Sequence, residues 1–348
     1  MSAAPLVDET RRARWTRRAV SLPAVPLLTA GYLAALPVVL VLAALRDLRF
    51  GRKAPTLRLA LFGAVYLVCE TMGLLASLGI WLGAGPWTGA PAERFLSWNY
   101  ALQRAWAGTL FRCIQALWSV TLETEGDEQV GRGPLLVFFR HASLADTLMP
   151  ANVLSVRHGL RLRYVLKREL LVDPCLDVAG QRLPNVFVRR GSGDGKREID
   201  FIRRLAAGMG PEEGILIYPE GTRFTPERRE RALERIRTGG DRQRLERARK
   251  LRRVLPPRTG GPQALLEARP DADVLFVSHV GLDGLAKLSH FLDGRLVGRR
   301  IRVRFRRVPA SSVPGERSER VAWLDGQWAR IDAWVAEHLA ETCATEGS

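Results

Sequence analysis

From Ser21 to Leu45 the chain carries no charged side chain, and it leaves the small and aliphatic residues only for prolines, Thr29, Gly31 and Tyr32. A helix needs about 20 apolar residues to cross the hydrocarbon core of a bilayer, so this run is long enough to span one. A second run, Leu57 to Leu82, carries Arg58 near its start and Glu70 inside. A carboxylate in lipid is costly, so Glu70 is expected to face a partner helix or to be protonated. Two core helices of a globular protein are the alternative, although both runs exceed the usual length of such helices. The first run is too long for a cleaved signal peptide and lacks a small-residue cleavage site.

The flanks of the first run are equally basic. Arg11, Arg12, Arg14, Arg17 and Arg18 precede it, and Arg46, Arg49, Arg52, Lys53 and Arg58 follow. Counting positive charge therefore gives no orientation. A shallow or re-entrant hairpin that returns to the cytoplasmic face removes the conflict. The whole chain is basic too, with 53 Lys and Arg against 36 Asp and Glu, a net charge of +17. Such a surplus calls for an anionic partner: a nucleic acid, a phosphorylated ligand or a membrane surface. Cys69, Cys113, Cys175 and Cys343 have neither disulfide-framework nor zinc-site spacing, as in a reducing compartment. His158, His279, His290 and His338 have no metal-ligand spacing, and no metal is expected.

The pattern divides the chain into a basic segment 1–20, a membrane-embedded helical hairpin 21–83, a linker and amphipathic helix 84–119, and a domain 120–345. In the third part Trp98, Leu102, Ala105, Trp106, Leu110, Ile114, Leu117 and Trp118 recur at helical spacing. That face suits either a membrane surface or the next domain. The domain alternates short apolar runs with helical stretches. Leu135–Phe139, Tyr164–Leu166, Asn185–Val188, Ile215–Tyr218 and Val274–Val277 read as buried strands. Ser143–Val156, Lys196–Ala207 and Gln263–Ala268 read as helices. Ile301, Val303 and Phe305 suggest a late strand with one wet face, and Val321 to Leu339 a closing amphipathic helix. The implied class is α/β, a largely parallel sheet covered by helices.

Three constellations follow strands. In Arg140-His141-Ala142-Ser143-Leu144-Ala145-Asp146, His141 and Asp146 lie about 500° apart on a continuous helix and would not share a face. They meet only if His141 sits in the strand-to-helix turn, where Asp146 holds one imidazole nitrogen and the other faces the pocket as a general base requires. Tyr218-Pro219-Glu220-Gly221-Thr222-Arg223 turns sharply after a strand, delivering Glu220, Thr222 and Arg223 where open α/β folds bind ligands. Arg223 suits a phosphate, or forms an internal pair with Glu220. Phe187-Val188-Arg189-Arg190-Gly191 offers adjacent arginines beside a glycine-rich turn as an anion cradle.

Together these blocks resemble the glycerolipid acyltransferase family that includes the 1-acyl-glycerol-3-phosphate (lysophosphatidic acid) acyltransferases, in its membrane-anchored branch. The family's His-x4-Asp block is matched by His141 and Asp146, its Glu-Gly-Thr-Arg block by Glu220 to Arg223, and its Phe-x-x-Arg block by Phe187 and Arg190. Lys167-Arg168-Glu169-Leu170 is similar to the stretch between the first two blocks. Pro257-Arg258-Thr259-Gly260-Gly261 is similar to the branch with a longer insertion. Arg140 departs from the usual Asn, Ala145 from Trp, Arg189 from an acid, and Ser278-His279 from a Pro near the last strand.

The resemblance implies acyl transfer from a thioester, acyl-CoA or acyl carrier protein, to the hydroxyl of a lysophospholipid, with no bound cofactor. His141 and Asp146 would be catalytic. Arg190, Glu220, Gly221, Thr222 and Arg223 would form the phosphate site, with Arg189 and Lys167 secondary. Backbone amides following His141 would be candidates for the oxyanion. The remaining alternatives are an acyltransferase for another lysophospholipid or polyol phosphate, and an inactive basic membrane-tethered binding protein. The Arg-rich insertion 227–253 reads as a helical hairpin with Glu–Arg pairs or a dock for anionic headgroups. Nothing beside it reads nucleic acid, so none is expected as a partner. The catalytic domain would face the cytoplasm from the membrane.

Overall fold

The structure is a computed structural model and describes residues 6–7, 9–188, 195–285 and 288–345. After a short strand β1 (Leu6–Val7), helix α1 spans Arg11–Asp47 and continues through Pro23, Pro26 and Pro37. The basic segment is therefore largely the first turns of α1, capped by the Thr10 hydroxyl on the Ala13 amide. The chain reverses at Gly51 and Ala54, both at positive φ, into α2 (Pro55–Ala84). Polar contacts join the two helices: Thr29 Oγ1 lies 2.8 Å from Thr71 Oγ1, and Tyr32 donates to the carbonyl of Ala60 at 2.9 Å. Leu27, Leu28, Val41, Leu42 and Leu45 of α1, and Met72, Leu75 and Leu82 of α2, remain exposed on the outside. Both helices are long and apolar enough to cross a membrane, and an apolar face of this extent suits hydrocarbon rather than water.

Helix α3 (Ala92–Trp118) buries Leu110, Phe111, Ile114 and Trp118 against the domain, while Trp98 near its start stays exposed. The domain side of the two expected surfaces thus takes its C-terminal half. Glu70 is buried and faces partners, as its setting required: its carboxylate accepts from Trp106 Nε1 at 2.8 Å and from the amide of Cys175 at 3.2 Å.

Beyond α3 the order is β2 (Thr121–Glu125), β3 (Leu135–Phe139), β4 (Arg161–Lys167), α4 (Pro174–Val178), β5 (Val186–Val188), α5 (Gly195–Ala206) and β6 (Glu213–Ile217). Then come α6 (Pro226–Thr238), α7 (Arg242–Lys250), α8 (Gly260–Ala268), β7 (Asp273–Val280), β8 (Arg300–Val308) and α9 (Arg317–Thr345). The strands lie in the order β1-β5-β4-β6-β3-β7-β8-β2. All neighbours are parallel except β7 and β8. The central strand β3 is buried along its length. Its alternation separates two cores: Leu135, Val137 and Phe139 face α3, while Leu136 and Phe138 face α5, α8 and α9.

Both outermost strands escaped the apolar pattern for physical reasons. β1 is two residues long, and β2 is held to β8 partly by Glu123 with Arg300 and Arg302 and by Glu125 with Arg304. A charge ladder leaves no hydrophobic signature. The helix expected over Ser143–Val156 is broken into a tight turn, Ala145–Thr147, and a wide-turn segment, Ala151–Val156. The Asp146 carboxylate folds back on the preceding amides, and Pro150 brings no N–H to continue an earlier turn.

Candidate active site

Strands β3, β4, β5, β6 and β7 all run toward one edge of the sheet, and the motif residues collect there. His141 leaves β3 in a turn, as the spacing demanded. Its Nδ1 lies 2.9 Å from Asp146 Oδ1. The other carboxylate oxygen accepts from the amides of Ala142 at 2.6 Å and Ser143 at 2.7 Å. Asp146 is fully buried; burial alone would raise its pKa, but His141 and then His279 outweigh it and hold the carboxyl well below its ordinary range. With Nδ1 engaged, the proton is favoured there, and Nε2 is left with no protein partner among the described residues. The imidazole also leans on Tyr218, with ring centroids 4.4 Å apart.

The amides following His141 are already used. Those of Ala142 and Ser143 serve Asp146, that of Leu144 donates to the carbonyl of Leu285, and that of Ala145 donates to Ser143 Oγ. The expectation that they would receive an oxyanion is corrected accordingly: the turn spends them on fixing its own carboxylate.

Glu220 is also placed differently from the phosphate ligand expected of it. Its side chain is turned inward, 2% exposed, and accepts from the amides of His141 and Leu255, both at 2.9 Å. A carboxylate repels phosphate and here braces the two chain segments beside the histidine; it does not pair with Arg223. Burial pushes its pKa up to about 7, against the opposing effects of Arg140 and the two amides. Gly221 follows at φ +72°, and an added Cβ would sit 2.6 Å from Arg258 Nε. A side chain in the left-handed region costs about 1–2 kcal/mol. Gly221→Ala is therefore expected to lower unfolding stability by about that amount, read from denaturant midpoints; an unchanged midpoint contradicts this account of the turn.

Thr222 and Arg223 are half-buried at the same edge, and Arg223 Nη1 is buried without a partner among the described residues. Lys167 closes β4 at this edge. Phe187 lies in the core, but Arg189 and Arg190 lie outside the described residues.

Sequence spacing missed a further group. Arg140 is fully buried, bonded to Asp283, to the carbonyl of His279 and, at 3.1 Å, to that of Arg253. His279 Nε2 lies 3.1 Å from the carbonyl of Arg140 and 3.5 Å from Asp146 Oδ2. So the two departures, Arg140 and Ser278-His279, are coupled to each other behind the His141–Asp146 pair. The only signal for this was that both depart from the family pattern.

A helix-covered parallel sheet that presents this pair at its strand ends agrees with the sequence comparison: residues 121–280 match the family model Acyltransferase. This part of the chain is similar to the acyltransferase family's domain. Among solved structures, the 1-acyl-sn-glycerophosphate (LPA) acyltransferase PlsC from Thermotoga maritima is similar, with a TM-score of 0.47 and 15% identity over 78% of this chain and 98% of that one. No curated protein matches in sequence.

Proposed function

We propose that the protein is a membrane-bound glycerolipid acyltransferase that moves a fatty acyl group from an acyl thioester, coenzyme A or acyl carrier protein, to the free hydroxyl of lysophosphatidic acid, giving phosphatidic acid. The observation that carries this reading is the His141–Asp146 pair at 2.9 Å, with Nε2 unpartnered among the described residues and Arg223 close enough to feel Asp146. His141 Nε2 takes the proton of the acceptor hydroxyl as its oxygen attacks the thioester carbonyl. Asp146 holds the imidazole in that tautomer and stabilises the imidazolium. Collapse of the tetrahedral intermediate expels the thiolate, which recovers the proton, and the enzyme needs no covalent acyl intermediate.

Arg223, with a buried donor lacking a partner among the described residues, holds the acceptor phosphate, joined by Arg190; Thr222 lines that site. Glu220 and Gly221 keep the turn in place. The apolar α1–α2 hairpin seats the domain at the bilayer, where its substrates reside, and Cys69, Cys113 and Cys175, all free thiols, suit a cytoplasmic face.

Mass spectrometry of products formed from a panel of lysolipids and acyl thioesters tests the reaction. Phosphatidic acid from lysophosphatidic acid is expected, and no acylated product from any lysolipid sinks the reading. Arg223→Ala is expected to lower kcat/KM for that acceptor by about tenfold or more, since a charge-assisted contact is lost. An unchanged kcat/KM removes Arg223 from the phosphate site.

A further inference from the structure

The arginines of the insertion divide into two groups. Arg237, Arg249 and Arg247 sit against Glu234, Glu246 and Asp325, and Arg229 reaches Glu230 and the carbonyl of Leu251. These pairs lie within α6 and α7 or, through Asp325, tie α7 to α9, and they account for part of the insertion's charge. Arg231, Arg242, Arg252 and Arg253 have no acid partner among the described residues; neither do Arg228 and Arg235, nor Arg223 and Arg258 beside the insertion.

The last four border one another at the edge of the candidate site. The Arg258 amide donates to the carbonyl of Pro219 at 2.8 Å, and its side chain lies across Gly221. Arg228 Nη1 reaches the carbonyl of Arg223 at 3.2 Å. Arg235 lies two turns farther along the same face of α6, about 10 Å by the helical rise. Burial and then repulsion from Arg258 and Arg244 lower its pKa; Arg223 is lowered likewise by burial and then Arg228. Cations that disfavour one another's charge are relieved by a bound anion. Beside Arg258 a cavity of about 110 Å³ opens, lined by Tyr218, Gly221 and Gly261; Glu198, also among the lining residues, is itself engaged.

The row is too long for one acceptor phosphate. In the reading above, Arg223 takes that phosphate, close enough to the pair to feel the Asp146 carboxylate. Arg228, Arg235 and Arg258 continue away from it. A lysolipid phosphate lies near its own hydroxyl, whereas a coenzyme A thioester carries its phosphates at the far end of a long arm. We infer that Arg228, Arg235 and Arg258 form a second anion site that receives the phosphorylated nucleotide end of an acyl-CoA donor. This rests on the proposed acyl transfer and selects the donor for it. A half-open cavity beside Arg258 favours a nucleotide end over the flat acidic surface of a carrier protein.

The test uses the full chain in lipid nanodiscs, wild type and the double variant Arg235→Gln/Arg258→Gln, with adenosine 3′,5′-bisphosphate as the probe. Calorimetry is expected to show binding to wild type and a dissociation constant at least about tenfold higher for the variant, the scale of one or two charge-assisted contacts. The preference in kcat/KM for acyl-CoA over the same acyl group on pantetheine is expected to fall by a similar factor. A wild-type protein that ignores the bisphosphate, or a variant that binds it equally, overturns the site. So does a variant that instead raises the KM for lysophospholipid, or that loses activity only with acyl carrier protein. Because binding is read without turnover, a wild type that binds the probe but acylates no lysolipid overturns the proposed reaction and leaves the site standing.

Discussion

Replacing His141 with alanine is expected to lower kcat for acyl transfer by about 10²–10⁴-fold, the usual contribution of a positioned general base, with a smaller change in acceptor KM. The argument is geometric. Nδ1 is committed to Asp146 at 2.9 Å, so Nε2 is the nitrogen that can accept a proton, and no protein group among the described residues competes for it. The imidazole is set by that contact, by Tyr218 beside it and by its own amide on Glu220. That amide bond and the carbonyl of His141, which accepts from the Phe224 amide at 3.1 Å, belong to the backbone and survive the substitution. The variant should therefore melt close to wild type while losing turnover. Acylation near the wild-type rate would remove His141 as the base. A collapsed melting transition would show that the side chain is needed for folding.

What the sequence revealed of this site depended on how far each contact reaches along the chain. His141 and Asp146 are near neighbours, and their relation could be worked out from helical geometry alone. The buried strands were legible because β3 and β7 are continuous apolar runs. Glu220 was read as part of the phosphate site, whereas its side chain turns inward onto two amides. Its partners, the amides of His141 and Leu255, come from other parts of the chain, and no residue type announces a backbone donor. The same holds for Arg140, Asp283 and His279, whose contacts join the end of β3 to the end of β7 and to the segment after α7. That segment is itself tied down by Asp332 of α9, which accepts from the amides of Arg252, Arg253 and Val254. The insertion's Glu–Arg pairs were legible from helical spacing, but its unpaired arginines could be separated from the paired ones only once α6, α7 and Arg258 were placed together.

Asp146→Asn is expected to lower kcat by about 10⁴-fold, comparable to the same change in a serine-protease triad, although the new side chain has nearly the same shape. Asp146 uses both oxygens as acceptors: Oδ1 for His141 Nδ1, and Oδ2 for the amides of Ala142 and Ser143. An asparagine has one acceptor to offer. Turning its NH₂ toward the two amides opposes donors to donors twice, so the carbonyl stays there and the NH₂ faces His141. Nδ1 must then accept, the ring proton moves to Nε2, and the nitrogen required as base becomes a donor. Nitrogen NMR of the imidazole is expected to show that tautomer change, which a general loosening of the turn would not produce. A second readout follows from the carboxyl's depressed pKa. A carboxylate held below its unfolded value stabilises the fold above the ordinary carboxylate pKa of about 3.9 and gives up that stability as the pH falls below it. Wild type should therefore lose more stability than the Asn variant when acidified through that range. Equal acid sensitivity, or an unchanged tautomer with kcat near wild type, would mean that Asp146 does not hold the imidazole for catalysis.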